Sequence, residues 1–212
     1  MDGAIRPAAS AICVRDGHDG EPEVLVVERS NASRFLPGYV AFPGGAVDAA
    51  DEAHADRWFG DAEEAPRATA VRELIEEVGL ALTAGGLVAA TDFALVDDMP
   101  PAPERLVEIC HWVAPASVPV RFDARYFVVT TGAGLHPTPD GSEVVKAWWI
   151  SPRGLLSEWA DGVRKLYWPT WFTVSELAAC PSLETVAALR FQTREPTAEE
   201  AAAMPRHVME QE

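Results

Sequence analysis

The nine residues Arg72-Glu73-Leu74-Ile75-Glu76-Glu77-Val78-Gly79-Leu80 constrain this chain more than any other stretch. Val71, Leu74, Ile75 and Val78 recur at i, i+3, i+4 and i+7, the period of one apolar helical face. Pro66 suits a first helical turn and Gly79 suits a left-handed C-terminal cap, so the spacing predicts a helix over about residues 66–79. Arg72, Glu73, Glu76 and Glu77 fall on the other side of it. Like charges one turn apart cost about 0.2–0.5 kcal/mol per pair on an exposed helix. A face with no task usually intersperses its signs. Three carboxylates gathered together are hard oxygen donors that suit a divalent cation such as Mg²⁺. Taken alone, the charge run also reads as a solvated acidic face.

A chain of 212 residues, 48% hydrophobic, can bury one sizeable core with room for an appendage. Its net charge of −16, from 17 Lys+Arg against 33 Asp+Glu, argues against a nucleic-acid backbone or an anionic membrane as partner. A phosphorylated small molecule stays open, because a bound cation inverts the local field. Cys13, Cys110 and Cys180 are odd in number and far apart. That is the pattern of reduced thiols in a cytoplasmic protein, not of a zinc site or a disulfide framework. Neither a basic-then-apolar leader nor an apolar run of bilayer length is visible.

Residues 1–7 read as a loose terminus, and residues 8–14 and 23–28 as a strand pair joined through Asp16-Gly17 and Asp19-Gly20. Residues 39–42 run into Pro43-Gly44-Gly45, a sharp turn at which backbone can approach a ligand closely. Residues 48–60 read as a short acidic helix, 61–65 as a linker and 87–96 as a strand. Further strands are expected at 107–113, 125–131 and 143–150, with Pro-rich loops between them. Ser151-Pro152 caps and opens a helical region that continues at 169–179 and 183–189. The expected organisation is α/β: residues 1–192 as one layered domain with C-terminal helices, and residues 193–212 as a charged tail, helical or disordered.

Together with Gly45, the opening stretch resembles the Nudix hydrolase signature Gly-x5-Glu-x7-Arg-Glu-U-x-Glu-Glu-x-Gly-U, where U is a bulky aliphatic. Arg72, Glu73, Leu74, Glu76, Glu77, Gly79 and Leu80 match it. Asp51 stands where glutamate is usual, and 20 residues (52–71) separate it from Arg72 instead of seven. This insertion after Phe42-Pro43-Gly44-Gly45 is similar to the branch of the family that includes the peroxisomal coenzyme A diphosphatase. So are Arg121-Phe122-Asp123-Ala124-Arg125-Tyr126-Phe127 and Glu143 followed by Trp148 and Ile150-Ser151-Pro152. Upstream, Arg29-Ser30, Arg34, Gly38 and Phe42 follow the spacing of the coenzyme A motif, from which Val26 and Val27 depart.

The resemblance implies a Nudix-type α/β/α sandwich with a mixed β-sheet and extra C-terminal helices. It implies Mg²⁺- or Mn²⁺-dependent hydrolysis of coenzyme A or acyl-coenzyme A to 3′,5′-ADP and (acyl-)4′-phosphopantetheine. Other nucleoside diphosphate compounds, ADP-ribose or NADH, are the alternative substrates. A non-catalytic nucleotide-sensing module is the alternative of a different class, although such modules usually lose the box glutamates that stand here. By the same resemblance Glu73, Glu76, Glu77 and Glu143 with the Gly44 carbonyl hold the metal, and Glu73, Glu77 and Arg72 carry catalysis. Glu73 is the candidate base or orienter of water, and Arg72 fixes a carboxylate. Asp97, Asp98 and Glu104 are rivals of Glu143. Arg29, Arg34, Gly45 and Arg125, with Arg121 behind them, are the candidates for substrate phosphates, since the guanidinium fork matches phosphate oxygens. His111 and His136 read as ordinary core or loop histidines. Trp148, Trp149, Trp159, Trp168 and Trp171 read as core, and Trp58 as a cover for adenine or the pantetheine arm. The expected partner is a small nucleotide, with no nucleic acid and no membrane, and a homodimer is left open.

Overall fold

The computed structural model describes residues 5–115 and 121–199. In chain order its strands are β1 (Arg6–Asp16), β2 (Pro22–Arg29), β3 (Val40–Ala41), β4 (Gly44–Ala46), β5 (Leu80–Thr83), β6 (Gly86–Ala89), β7 (Val107–Val113), β8 (Phe122–Thr130), β9 (Val144–Ile150) and β10 (Phe191–Gln192). Its helices are α1 (Ala49–Phe59), α2 (Ala65–Val78), α3 (Ala94–Asp98), α4 (Pro152–Ala160), α5 (Trp168–Ala178) and α6 (Leu183–Ala188).

The central strands are apolar on both faces, so successive side chains need two separate covers. In β1, Ala9, Ala11 and Cys13 join one buried cluster, while Ala8, Ile12 and Val14 join another. In β2, Leu25 and Val27 divide from Val24 and Val26 in the same way. The first cluster is completed by α1 and α2, through Ala55, Trp58, Val71, Leu74 and Val78. The second is completed by the C-terminal helices, through Leu155, Val174, Leu177 and Val186. The result is the expected α/β/α arrangement around a mixed sheet.

Sheet order runs β10-β7-β8-β1-β2-β3, with β8 parallel to β1 over its whole length. The other edge of β1 is divided between two partners. Val14 to Asp16 pair with β2, and Ala8 to Ser10 pair with β4. That division lets the Gly44-Gly45 segment lie in the sheet directly beside α2.

α2 forms as the apolar period requires, with Val71, Leu74 and Val78 fully buried. Gly79 closes it in the left-handed conformation at φ 64°, ψ 34°, donating to the Ile75 and Leu74 carbonyls. Residues 87–96 depart from the single strand expected of them. β6 ends at Ala89 and pairs only with β5, and α3 follows. The cause is tertiary: Val96 is fully buried, and Asp97 accepts from the Trp58 indole N–H at 2.8 Å. Arg6 to Ala8 are held by β8, so the chain is ordered into the sheet earlier than expected. β10 adds a short parallel pairing to β7 just before the expected tail, whose residues 200–212 lie outside the described residues. Among the described residues, no helix is long and apolar enough to cross a membrane.

Candidate functional site

Arg72 is the hub of the site. Its Nε and Nη2 donate to the two Asp51 oxygens at 2.9 and 3.1 Å. Its Nη1 donates to Glu73 and Glu76 at 2.8 Å each, and its Nη2 also reaches the Ala46 carbonyl at 3.1 Å. Asp51 is fully buried and accepts further hydrogen bonds from the Thr69 hydroxyl at 2.7 Å and the Asp48 N–H at 2.8 Å. Burial pushes the Asp51 carboxyl up, but the Arg72, Asp48 and Thr69 hydrogen bonds outweigh it and leave the group below its ordinary range. The same aspartate closes the capping box of α1. The insertion is therefore an excursion through α1 that returns to α2, and Asp51 ties its start to Arg72 of that second helix.

The glycine pair fixes the other carboxylates. The Gly44 N–H donates to Glu77 at 3.0 Å. A Cβ on Gly44 would stand 2.4 Å from the Ala9 carbonyl oxygen, and one on Gly45 would stand 2.1 Å from a Glu73 oxygen. The Gly44 approach meets backbone and is closed to a larger residue, whereas the Gly45 approach meets the end of the Glu73 side chain. Burial, then the neighbouring Glu73 charge, pushes the Glu77 carboxyl up to about 8, against the Gly44 N–H and the Arg29 charge. Burial likewise raises Glu73, with the Arg72 charge and hydrogen bond opposing it. Glu143 adds repulsion to both groups, so the loop before β9 brings it into the same neighbourhood. Asp140 sets that loop by accepting from the Ser142, Glu143 and Val144 N–H groups at 3.1, 3.0 and 2.8 Å.

Arg29, Gly44, Gly45, Glu73 and Glu143 line one cavity of about 330 Å³. Of the arginines named from the sequence, Arg29 alone reaches it among the described residues. Its Nε donates to the Phe35 carbonyl at 3.1 Å. Arg34 is exposed in the β2–β3 loop and is not among the liners. Arg125 also stays outside, because it shares a strand face with Phe127 and Val129 and pairs with Glu108 at 3.5 Å. Arg121 donates to the Ala114 carbonyl. Asp97 is engaged by Trp58 and Arg57. Asp98 and Glu104 are exposed and do not line the cavity. Trp58 does not cover the cavity. It is 4% exposed, stacked on His54 with ring centres 4.6 Å apart, and serves the α1–α3 contact. Thr69 and Asp140 were not visible as site residues in the sequence. The only signals for them are the one-turn spacing from Thr69 to Arg72 and the turn chemistry of Asp140-Gly141-Ser142.

The donors suit a hard divalent cation. Glu73 and Glu77 crowd negative charge into a buried volume, the exposed Glu143 adds its charge to theirs, and Glu76, with a half-exposed carboxylate, stands one turn from Arg72. Among the described residues, no three acidic, imidazole or thiol side chains converge as a finished cage. Arg72 draws Glu73 and Glu76 to itself, and Glu77 faces Gly44. Mg²⁺ is commonly bound by one or two carboxylates, waters and the phosphates of its substrate rather than by an all-protein cage, so this arrangement fits that mode.

The comparisons agree with the geometry. The chain is 29% identical to a NUDIX hydrolase from Alicyclobacillus acidocaldarius, whose crystal structure matches with a TM-score of 0.73 over 90% of this chain and 98% of that one. RenU, a Nudix hydrolase from M. smegmatis, shares the fold at 18% identity and a TM-score of 0.52, covering 89% of this chain and 90% of its own. A curated relative from Caenorhabditis elegans, named as nudix hydrolase 7, is 26% identical over 173 residues. That match covers 73% of this chain, which spans 55% of the relative's length. A family model for the NUDIX domain matches residues 4–172, and the chain belongs to that family.

Proposed function

We propose that the protein is a divalent-metal-dependent Nudix hydrolase that cleaves a diphosphate linkage in coenzyme A or acyl-coenzyme A. The observation that carries this reading is the shared cavity, in which Glu73 of α2, Glu143, Arg29 and the Gly44-Gly45 turn meet from four separate parts of the chain. Water attacks one phosphorus, the bond to the bridging oxygen breaks, and the departing phosphate keeps the electron pair. Such a reaction needs positioning and charge stabilisation more than covalent chemistry. Glu73, Glu76, Glu77 and Glu143, with the Gly44 carbonyl, are the residues that would hold Mg²⁺ or Mn²⁺. When bound, the ion supplies Lewis-acid stabilisation of charge on the phosphoryl oxygens. Glu73, held against Gly45 and by Arg72, accepts the proton of the attacking water or orients it. Arg72 keeps that carboxylate and Glu76 in fixed rotamers. Arg29 presents its guanidinium fork to a substrate phosphate.

Support for coenzyme A comes from the spacing of Arg29, Ser30, Arg34, Gly38 and Phe42; of the two arginines, Arg29 lines the cavity and Arg34 stands outside it. Incubating the protein with Mg²⁺ or Mn²⁺ and coenzyme A is expected to release 3′,5′-ADP and 4′-phosphopantetheine. No release, alongside clear turnover of ADP-ribose or NADH, overturns the substrate. Tight nucleotide binding without turnover under any divalent metal replaces the enzyme with a sensing module.

A further inference from the structure

The cavity has a second wall that the diphosphate chemistry does not use. Among the described residues its charged liners are Arg29, Glu73 and Glu143. Ser10, Trp112, Tyr126 and Thr170 line it as well, and none of these carries a charge. Ser10 stands in register between Gly44 of β4 and Tyr126 of β8, so the three form a row across one face of the sheet. The row begins at the glycine turn, where a Cβ on Gly44 would stand 2.4 Å from the Ser10 Oγ. Trp112 of β7 packs on the same side, beneath α5, the helix that supplies Thr170.

These four side chains share an unusual property: their polar atoms have no partner in the protein. Trp112, Tyr126 and Thr170 are only 8%, 8% and 7% exposed. Yet among the described residues nothing hydrogen-bonds the Ser10, Tyr126 and Thr170 hydroxyls or the Trp112 indole N–H, and none of these atoms is sealed from solvent. The opening they reach is the cavity they line. An unpaired polar atom in so buried a place costs free energy that phenylalanine or valine of the same shape would avoid. The indole N–H can only donate. Burial raises the Tyr126 hydroxyl, which keeps it protonated and able to donate. No cation joins the row among the described residues. Arg125, next to Tyr126 in β8, lies on the opposite strand face and pairs with Glu108, so a further phosphate in the row would lack a counter-charge.

We infer that Ser10, Trp112, Tyr126 and Thr170 form a neutral hydrogen-bonding subsite that holds one arm of the substrate through uncharged oxygen acceptors, hydroxyl or carbonyl. The inference rests on reading the charged wall as the diphosphate site. At about 330 Å³ the cavity is near the small end of ligand pockets, so it encloses one arm beside the diphosphate and leaves the other outside. The arm that enters satisfies the unpaired donors, and an arm that ends in phosphate stays out. Sugar hydroxyls and the hydroxyl and amide carbonyl of a pantothenyl arm share this acceptor chemistry, so the subsite accommodates either source.

Tyr126→Phe and Thr170→Val each remove one polar atom and keep the shape. Because these atoms have no partner in the free protein, the urea unfolding midpoint of each variant should stay level or rise. A lower midpoint means that the hydroxyl is bonded within the protein, and overturns the subsite. Pyrophosphate, ADP-ribose and dephospho-coenzyme A are then titrated calorimetrically into the full chain, with Ca²⁺ as the divalent ion. Each variant is expected to weaken at least one of the two larger ligands about three- to tenfold, the loss of one neutral hydrogen bond, and to leave pyrophosphate within about twofold. Weakening of ADP-ribose alone identifies a sugar arm and removes coenzyme A as substrate. Weakening of dephospho-coenzyme A alone identifies the pantothenyl arm. Weakening of both supports a subsite that takes either source. Unchanged affinity for both, an equal loss for pyrophosphate, or no binding of any probe overturns the subsite. Hydrolysis with Mg²⁺ or Mn²⁺ is read separately, and the expected weakening without turnover of either ligand sinks the hydrolase reading while the subsite stands.

Discussion

Single residues at this site divide into those that set shape and those that set charge. Gly44 and Gly45 are adjacent yet answer to different neighbours. Gly44→Ala drives a methyl into the Ala9 backbone carbonyl and is expected to cost about 2 kcal/mol or more of stability, read as the shift of the urea unfolding midpoint. Gly45→Ala meets the end of the Glu73 side chain, which can swing away. That variant should keep its stability within about 0.5 kcal/mol and lose activity tenfold or more, read in paired unfolding and steady-state assays. Glu77→Gln keeps an oxygen acceptor for the Gly44 N–H, so the fold should persist while kcat falls at least about a hundredfold. Near-normal turnover in that variant refutes its place at the metal. Asp51→Asn leaves a mostly buried guanidinium short of its main counter-charge and should cost about 3 kcal/mol at neutral pH. The sign of its pH dependence follows from the lowered folded-state value. The Asp51 contribution is fully present above its ordinary value of 3.8 and is lost as pH falls through the lower folded value. The stability gap between wild type and Asp51→Asn should therefore close in acid below about pH 4. A gap that widens there contradicts the pairing.

At the scale of elements, α2 was legible because its instructions are local. Its apolar period, Pro66 and Gly79 all act within a few turns of one another. Gly79→Ala should cost about 1 kcal/mol, measured by thermal unfolding, because a Cβ there would meet only ordinary contacts at 3.5 Å and the cost is that of the left-handed conformation at φ 64°. α3 was not legible for the opposite reason. Ala94 to Asp98 carry no helical period of their own, and the segment turns helical where Val96 finds the core and Asp97 finds Trp58. The seat of Glu143 also depends on a contact outside its strand, the Asp140 carboxylate that gathers three successive N–H groups. Burial raises Asp140, but these donors and the Ser142 hydroxyl hold it below the usual carboxylate range.

For the whole molecule, the three-layer order explains why charge can be concentrated where it is. α2 spends one face on the sheet and places Glu73 in a cavity lined by Ala8, Ala9 and Ser10 of β1, beside the β4 segment. A cation that binds only the folded chain adds stability by mass action, about 2.7 kcal/mol at a hundred times Kd. Adding Mg²⁺ or Mn²⁺ should thus raise Tm by about 5–10 °C, at roughly 2–4 °C per kcal/mol for a domain of this size. EDTA should reverse the rise, and Glu76→Gln should shrink it. An unchanged Tm across saturating metal, measured by scanning calorimetry, contradicts cation binding in the free protein.

The amino-acid sequence by itself determined the helix with its carboxylate triplet, the glycine turn before it and the strands that are apolar on both faces. Each of these is written in spacing along one segment, and together they were enough to identify the family. Only the tertiary structure decided that Arg29 enters the cavity while Arg34 and Arg125 stay out, that Trp58 belongs to the core, and that Asp51 bridges the insertion to Arg72. It also decided that rings from β7, β8, the β2–β3 loop and the start of α5 meet as one wall of that cavity. Where a side chain ends up depends on strand face and on partners tens of residues away, and a linear motif records neither.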